Sequence, residues 1–480
     1  MSPLFFLPRI CYTCGVKRYD SNLFRELTYM PGRQMTLTEG PLTGQIVRFS
    51  LPLMLSNVLQ ILFNMSDIAV VGRFAGPVAL GAVGSTTILV TLFTGFLIGM
   101  GAGVNSVVAR FLGAEHREDA SESIHTSAIV LALTGLILLL LGVGLTFPLL
   151  KLLGTKEELI GGAIRYLRIY FLGMPALAIF NFGNAVLSAA GDTKKPLLFL
   201  SCAGVLNVCL NLFFVIACSL AEVGVALASV LSQYLSALLI VRSLLRRKSV
   251  IALSPARLRL NPRKARRILS IALPAGCQNA IFAIANLFIQ AGVNTFDALM
   301  VEGNSAAANA DGLVYDVMAA IYTACTSFMS QNYGAGKWDR VKKSYRISLA
   351  LSFGVGTAMG VSLVVFGPQF LSLFTTEPAV VEAGMYRLRI MGLSYGFSAF
   401  MDCAIAASRG LGKSVVPTVI VILGSCVFRV AWVYTVFAWF HTIPSLYLLY
   451  IFSWTLTAIA ENIYYIHTCR KLMPRRQPSE

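Results

Sequence analysis

The segment IVRFSLP at residues 46–52 returns 222 positions later as ILSIALP at residues 268–274. The register persists beyond these segments, because Gly191 returns as Gly412 after 221 positions. A copy at this spacing divides the chain into two equivalent halves. We therefore expect two lobes of similar structure, related by a pseudo-symmetry axis.

The composition is that of a membrane protein. Of 480 residues, 56% are hydrophobic and 13% are charged, and the mean hydropathy is +0.72, whereas soluble domains carry about 25% charged residues. Crossing the hydrocarbon layer takes ~20 apolar residues, and twelve stretches are long enough. They lie at 46–70, 78–108, 124–148, 162–188, 196–218 and 223–245 in the first half and at 268–296, 305–331, 345–367, 384–408, 415–438 and 444–467 in the second. We predict an all-α polytopic membrane protein with twelve transmembrane helices in two six-helix lobes.

The charges predict the orientation of these helices. Six crossings per half return the chain to its starting side, so the predicted repeat is parallel, and parallel repeats of this kind are typical of transporters. The two termini and the even-numbered loops carry 31 of the 39 Lys and Arg residues. By the positive-inside rule this side is the cytoplasm. We expect a monomer in the lipid bilayer of the cell membrane, multi-pass, with both termini cytoplasmic.

The basic residues also mark the boundary between the lobes. Ten of them lie between Arg242 and Arg267, and an anchor beside anionic lipid headgroups explains them better than nucleic-acid binding does. The N-terminal tail lacks a signal-peptide pattern, and Met35 is an alternative start site. The predicted division is a cytoplasmic tail at 1–35, a first lobe at 36–245, a basic cytoplasmic linker at 246–265, a second lobe at 266–470 and a C-terminal tail at 471–480.

The segments that come closest to enzyme or metal-site motifs lack the residue spacing that those motifs require. The segment RGLGKS at residues 409–414 lacks the earlier glycine of a phosphate-binding loop, since residue 407 is Ala. Cys11 and Cys14 form a CxxC without the second pair or the histidines that zinc needs. We therefore predict no enzymatic activity, no metal and no cofactor, and we expect an ion gradient rather than ATP as the energy source.

Asp67 is the clearest candidate for sensing that ion. A carboxylate inside a membrane helix costs roughly 2.5–3.5 kcal/mol on insertion scales, so it calls for a functional reason. Asp67 lies in the first span, 19 residues beyond Arg48, which at ~1.5 Å per residue places it in the outer half of the bilayer.

Two amides on the fifth span accompany this acid. Asn207 and Asn211 are spaced i,i+4 and share one face of the helix. Carboxylate and carbonyl oxygens suit a hard cation, and desolvation favours the protonated form of an acid, so either Na⁺ or H⁺ fits. The alternative is that these amides only join helices through hydrogen bonds. The spacing leaves both interpretations open.

The chain resembles the multidrug and toxic compound extrusion (MATE) transporters over residues 37–473. The resemblance is carried by LPLMLSNVLQILFNMSDIAVVGRF at 51–74, NVCLNLFFV at 207–215 and QNYGAGKWDR at 331–340, and it is closest to the bacterial DinF-like members. It implies a cation-coupled antiporter, driven by Na⁺ or H⁺, that exports amphipathic and often cationic small molecules. Export would proceed by alternating access through a cleft between the lobes.

The resemblance also assigns roles to residues. The implied cation-binding and coupling set is Asp67, Asn184, Asn207, Asn211 and Ser229. Asn211 stands where some relatives carry a second Asp, which leaves the choice between Na⁺ and H⁺ open. Pro52 matches a proline about which the family's first helix bends, although a static proline is the alternative.

The second lobe departs from relatives that carry an acid on the seventh helix. Its candidates for the substrate cleft are Gln278, Asn279, Phe282, Asp311, Tyr315, Asp316, Asp402 and Arg429. Arg429 falls near the middle of the bilayer, where a carboxylate partner is expected to neutralise it. Asp316 or Asp402 could instead face the cleft and attract a cationic compound, with aromatic side chains adding cation–π contacts.

Other functions remain possible at this stage. A flippase for a lipid-linked precursor, or an exporter of an endogenous metabolite, would share the two lobes within the same superfamily. A channel would lack a coupling site. An intramembrane enzyme would need a nucleophile with a base, or metal ligands at helical spacing.

Overall fold

A computed structural model describes residues 36–473, and this part of the chain forms helices joined by short turns. Eleven helices are long and apolar enough to cross a membrane, and one bent pair completes a twelfth span. The predicted fold class is therefore confirmed. The Cys11–Cys14 pair and the Met35 start site lie outside the described residues.

Six spans form each half. In the first half they are α1 (Leu42–Phe74), α2 (Gly76–Gly113), α3 (Arg117–Leu152), α4 (Glu157–Phe171 and Met174–Ala189), α5 (Lys194–Ala217) and α6 (Ala221–Leu245). In the second half they are α7 (Pro262–Val293), α8 (Ala298–Gly334), α9 (Trp338–Val365), α10 (Pro378–Gly410), α11 (Val415–Phe440) and α12 (Ile443–Leu472). Several helices extend past the predicted apolar stretches, because polar residues at their ends continue the backbone hydrogen bonding.

The turns repeat along with the helices. The turn after α2 has Glu115 at φ 58°, and the turn after α8 has Gly336 at φ 70°, 221 positions later. Gly191 and Gly412, which follow α4 and α10, have φ of 80° and 79°. Glycine is favoured at such positions because it lacks the Cβ that makes a positive φ costly. The sequence repeat is thus a repeat of backbone conformation.

The halves differ in their fourth span. In α4 a bend of 45° separates Phe171 from Met174, whereas α10 is continuous. Pro175 follows the bend directly, and proline removes a backbone hydrogen bond and clashes with the preceding turn. The equivalent residue of α10 is Gly396, which imposes neither constraint. This proline therefore accounts for the asymmetry.

The two halves meet through α1 and α2 on one side and α7 and α8 on the other. Gly99 and Gly103 of α2 face Ala275 and Ala272 of α7 so closely that a Cβ at either glycine would overlap the backbone of α7. Small residues four apart allow membrane helices to pack backbone against backbone. This close contact between the halves is therefore made without large side chains.

Hydrogen bonds between the halves concentrate at one end of the molecule. We call this the linker end, because residues 246–261 join α6 to α7 there. Ser327 donates to Asn105 at 3.0 Å, and Asn57 donates to the backbone carbonyl of Asp316 at 2.7 Å. Among the described residues, no hydrogen bond joins the halves beyond the level of Asn57 and Asn279. The halves are thus fastened from the linker end to about the middle of the bundle.

The linker itself is docked on the start of α3. The backbone N–H of Ser254 donates to Nε2 of the buried His125 at 3.0 Å, and the N–H of Asn261 donates to Thr126 at 3.3 Å. Lys264 forms an ion pair with Asp119. These contacts fix the segment that connects the two halves.

Candidate cation and substrate sites

The predicted coupling residues of α1, α5 and α6 come together in the first half. Asn211 donates to Oδ1 of Asp67, and Ser229 donates to Oδ2 of Asp67 at 3.3 Å. The same amide of Asn211 lies 3.2 Å from Oδ1 of Asn207, whose own amide lies 3.5 Å from the Ser229 hydroxyl. The four side chains therefore form a closed hydrogen-bonded group, which we call the Asp67 cluster.

Complementary helix faces explain why this cluster forms. Phe63 and Asp67 lie one turn apart on α1, and Gly204, Asn207 and Asn211 lie on one face of α5. The Phe63 ring occupies the space beside Gly204 that a Cβ would otherwise fill. This contact brings α1 close to α5, and Asp67 then meets Asn211 one turn further along α1 and two turns further along α5.

Within residues 36–473, the carboxylate of Asp67 has no basic partner. Its carboxylate is half-buried, whereas Asn207, Asn211 and Ser229 are buried. The ion pairs of the described residues do not include Asp67. A carboxylate held only by neutral donors remains available to a cation, because no permanent positive charge neutralises it.

Two of the predicted coupling residues have amide oxygens without a hydrogen-bond partner among the described residues. Oδ1 of Asn211 and Oδ1 of Asn184 are buried and accept no hydrogen bond from the described residues. Buried polar atoms are normally satisfied, so such exceptions call for an explanation. Asn184 lies on α4 and makes no side-chain hydrogen bond to Asp67, Asn207 or Ser229. No side-chain hydrogen bond therefore joins Asn184 to the Asp67 cluster, and its membership stays a prediction.

The sequence-based reasoning missed two tyrosines near this cluster. Tyr166 and Tyr170 on α4 are buried and stacked, with ring centroids 5.9 Å apart, and both lie within electrostatic range of Asp67. Their i,i+4 spacing in YLRIY was a visible signal. They form an aromatic wall on the α4 side of the acid.

Asp311, a predicted cleft residue, is engaged in a network inside the second half. It forms an ion pair with Arg387 of α10 and accepts a hydrogen bond from Tyr395. Arg387 also donates to Asn304, which accepts a further hydrogen bond from Tyr447 at 2.8 Å. Asp311 is thus already neutralised. Sequence reasoning had not identified Arg387 as its partner.

The prediction that a carboxylate neutralises Arg429 is wrong. Arg429 is 2% exposed and forms no ion pair with a described residue. Its Nε donates to Ser453 at 3.2 Å, and its guanidinium lies 4.6 Å from the ring centroid of Tyr450 and 5.6 Å from that of Phe282. A third ring, Trp454, lies 5.9 Å away. Aromatic faces attract a cation through their quadrupole, which explains how the charge is held.

The other predicted cleft residues divide by exposure. Tyr315 is 51% exposed, and Asp316 and Asp402 are half-buried. Gln278, by contrast, is buried and accepts from Arg409 at 2.8 Å. Asn279 donates to the carbonyl of Gly95 at 3.0 Å and so joins the halves. Tyr315, Asp316 and Asp402 therefore combine exposure with the absence of such a hydrogen bond among the described residues, and Phe282 is half-buried against Arg429.

Comparisons with known proteins agree with the repeat. The family model MatE matches twice, at residues 52–213 and 274–435. A "Probable multidrug resistance protein YpnP" of Bacillus subtilis is 30% identical, over 75% of this chain and 80% of that protein. A protein of Shewanella oneidensis named "FAD transporter" is 26% identical, again over 75% and 80%. A solved structure of a MATE family multidrug resistance transporter in an outward-facing conformation superposes with a TM-score of 0.85, at 23% identity, over 92% of this chain and 98% of that one.

Proposed function

Because the chain belongs to the multidrug and toxic compound extrusion family, we propose that it exports amphipathic, often cationic, organic compounds in exchange for Na⁺ or H⁺. Membership follows from the two matches of the family model, which together cover more than half of the chain. The relatives reported above are named as transporters or resistance proteins rather than enzymes. We place the protein in the cell membrane with the linker end in the cytoplasm.

The observation that carries this proposal is the Asp67 cluster. Asp67 is held by neutral donors from its own half and has no basic partner among the described residues. Oδ1 of Asn211 lies free beside it. Together these oxygens suit a small hard cation, and the carboxylate alone suits a proton. Either ion would turn a charged group into a neutral one during the cycle.

The mechanism follows from the position of the junction between the halves. The described conformation is fastened at the linker end, so a cation would reach Asp67 from the opposite side. Neutralising Asp67 removes the cost of burying its charge, which favours closure of the bundle around it. Closure on that side and opening at the linker end then turn the cleft between the halves toward the cytoplasm. One elementary charge that moves inward through a membrane potential of about 100 mV supplies ~2.3 kcal/mol of free energy for this cycle.

Tyr315, Asp316 and Asp402 are the groups that we assign to the substrate. The exposed ring of Tyr315 and the carboxyl groups of Asp316 and Asp402 favour a cationic compound with an aromatic part. A second candidate is an anionic metabolite. It is favoured by the relative named as an FAD transporter and by Arg409, a half-buried guanidinium without an ion pair among the described residues.

The test is transport by purified protein in proteoliposomes with an imposed gradient of Na⁺ or of pH. The probe compounds are ethidium as an amphipathic cation and FAD as an anion. We expect ethidium to be moved against its gradient by one of the two ion gradients and not by the other. Movement of FAD alone would favour the second candidate. Passive equilibration of both compounds, independent of either ion, would contradict antiport.

A further inference from the structure

Glu461 of α12 is a buried acid that the proposed cycle does not use. It is 0% exposed, and both of its carboxylate oxygens lack a hydrogen-bond partner among the described residues. It also forms no ion pair there. An ionised carboxylate in such surroundings is strongly destabilised, and the neutral acid is destabilised much less. The surroundings of this conformation therefore favour the uncharged, protonated carboxylic acid.

Arg409 of α10 is the cation that faces this acid. Its guanidinium lies within electrostatic range of both Glu461 and Asp402. It donates instead to Oε1 of Gln278 at 2.8 Å, and its Nε is buried without a partner. A guanidinium without an ion pair thus lies near a carboxyl group without a partner.

Two other buried arginines near α12 already have partners other than Glu461. On α10, Arg387 pairs with Asp311. On α11, Arg429 donates to Ser453 and Asn286 and lies against Tyr450.

The remaining titratable groups near Glu461 are neutral or open to water. On α9, Tyr345 donates to Asn462. On α8, Tyr315 is exposed and the Tyr322 hydroxyl is buried without a partner. Asp402 is half-buried, so the region is not fully closed. Among the described residues, Arg409 is the basic group within electrostatic range of Glu461.

We propose that Glu461 is a second proton-exchange site, located in the half opposite to Asp67, and that Arg409 is its switch. In the described conformation Glu461 carries the proton and Arg409 bonds to Gln278. When Arg409 leaves Gln278 and turns to Glu461, the O–H bond of the acid breaks. The carboxylate keeps the electron pair and pairs with the guanidinium, and the proton passes to water beside Asp402. Reversal of these contacts takes a proton up again.

The protonation of Glu461 can be tested without transport, by infrared spectroscopy of the purified protein. Glu461→Gln should remove a carbonyl-stretch band of a protonated carboxylic acid that is present in the wild type at neutral pH. The exposed Glu382 of α10 supplies the control, since Glu382→Gln should leave the band unchanged. If Glu461→Gln leaves the carbonyl-stretch band of the protonated acid unchanged, Glu461 is ionised in the wild type and the proposal is overturned.

The switch is tested by Arg409→Gln in the same measurement. In the wild type the band should disappear as the pH is raised, because Arg409 stabilises the carboxylate. In Arg409→Gln the band should persist to higher pH, because the stabilising charge is gone. Equal titration in both proteins would reject Arg409 as the switch, and a band that never titrates in the wild type would reject exchange.

Transport adds a separate readout that rests on the proposed function. In proteoliposomes that move ethidium, Glu461→Gln and Arg409→Gln should each lower the number of protons exchanged per ethidium, measured with an internal pH dye. Glu382→Gln should not. An unchanged ratio in Glu461→Gln would contradict a role of this proton in the cycle. If the wild type moves no ethidium, the proposed function fails for cations, while the infrared result still decides whether Glu461 exchanges a proton.

Discussion

Asp67 and Arg429 are both charged residue types inside the helical bundle, and different neighbours hold them. Asp67 is bound by the neutral donors Asn211 and Ser229 and remains half-buried. Arg429 is fully enclosed by hydrogen bonds and by aromatic rings. An acid that must exchange its ion needs access and a weak hold, whereas an arginine that organises a core needs neither. These surroundings support the proposed exchange role of the first residue and indicate a structural role for the second.

The structural role of Arg429 predicts a stability effect. Arg429→Lys keeps the charge but loses the planar guanidinium that bonds to Ser453 and lies against Tyr450. We expect the free energy of unfolding to fall by about 1–3 kcal/mol, from one lost hydrogen bond and weaker cation–π contacts. Thermal unfolding in detergent measures this change. The exposed Arg389 of α10 gives the control Arg389→Lys, and equal melting temperatures for the two variants would contradict the assigned role.

At the scale of single helices, α1 combines a proline with the coupling acid. Pro52 lies about four turns before Asp67 on the continuous helix Leu42–Phe74. The Ser56 hydroxyl donates to the carbonyl of Pro52 at 2.9 Å, and Asn57 joins the same stretch to the second half. The part of α1 near Pro52 is thus anchored to the junction, while the part beyond it carries Asp67. A bend at Pro52 would move the acid relative to that anchor.

This arrangement predicts that Pro52→Ala slows transport without damage to the fold. Alanine restores the missing backbone hydrogen bond and stiffens the helix, so we expect a melting temperature equal to or above that of the wild type and a lower rate of gradient-driven efflux. Pro274→Ala, at the repeat position on α7, is the matched control. Pro274→Ala is expected to transport at the wild-type rate. If Pro52→Ala does so as well, Pro52 is a static feature of α1.

The sequence was a good guide to helices and a poorer one to contacts. Twelve spans followed from hydropathy because each span must fill the same hydrocarbon thickness. The bend at Pro175 was missed, since prolines occur in many continuous membrane helices. The grouping of Asp67 with Asn211 was reachable from depth and from i,i+4 spacing. The contacts of Arg387 and the burial of Glu461 could not be predicted from the sequence. They depend on how α8, α10 and α12 are rotated against each other, and no local sequence pattern encodes that rotation.

At the scale of the whole molecule, the repeat produces two similar bundles with different chemistry. The first half holds an acid among neutral donors, and the second holds several charged residues. Contacts such as those of Gly99 and Gly103 with α7 fasten the halves between the linker end and the middle of the bundle. Small residues make that junction close. This construction supports the proposed alternation between two arrangements of the halves around sites that each half carries internally.

The most direct test of the central claim compares two assays on Asp67→Asn in proteoliposomes. Asparagine keeps the shape of the side chain but cannot be ionised, so the account predicts that ethidium accumulation driven by the effective ion gradient is lost. Exchange of labelled for unlabelled ethidium at equal concentrations should persist, because it needs the alternation of the halves but not the ion. The control Asp339→Asn, at an exposed position of α9, should retain both activities. Gradient-driven accumulation at the wild-type level in Asp67→Asn would contradict the account.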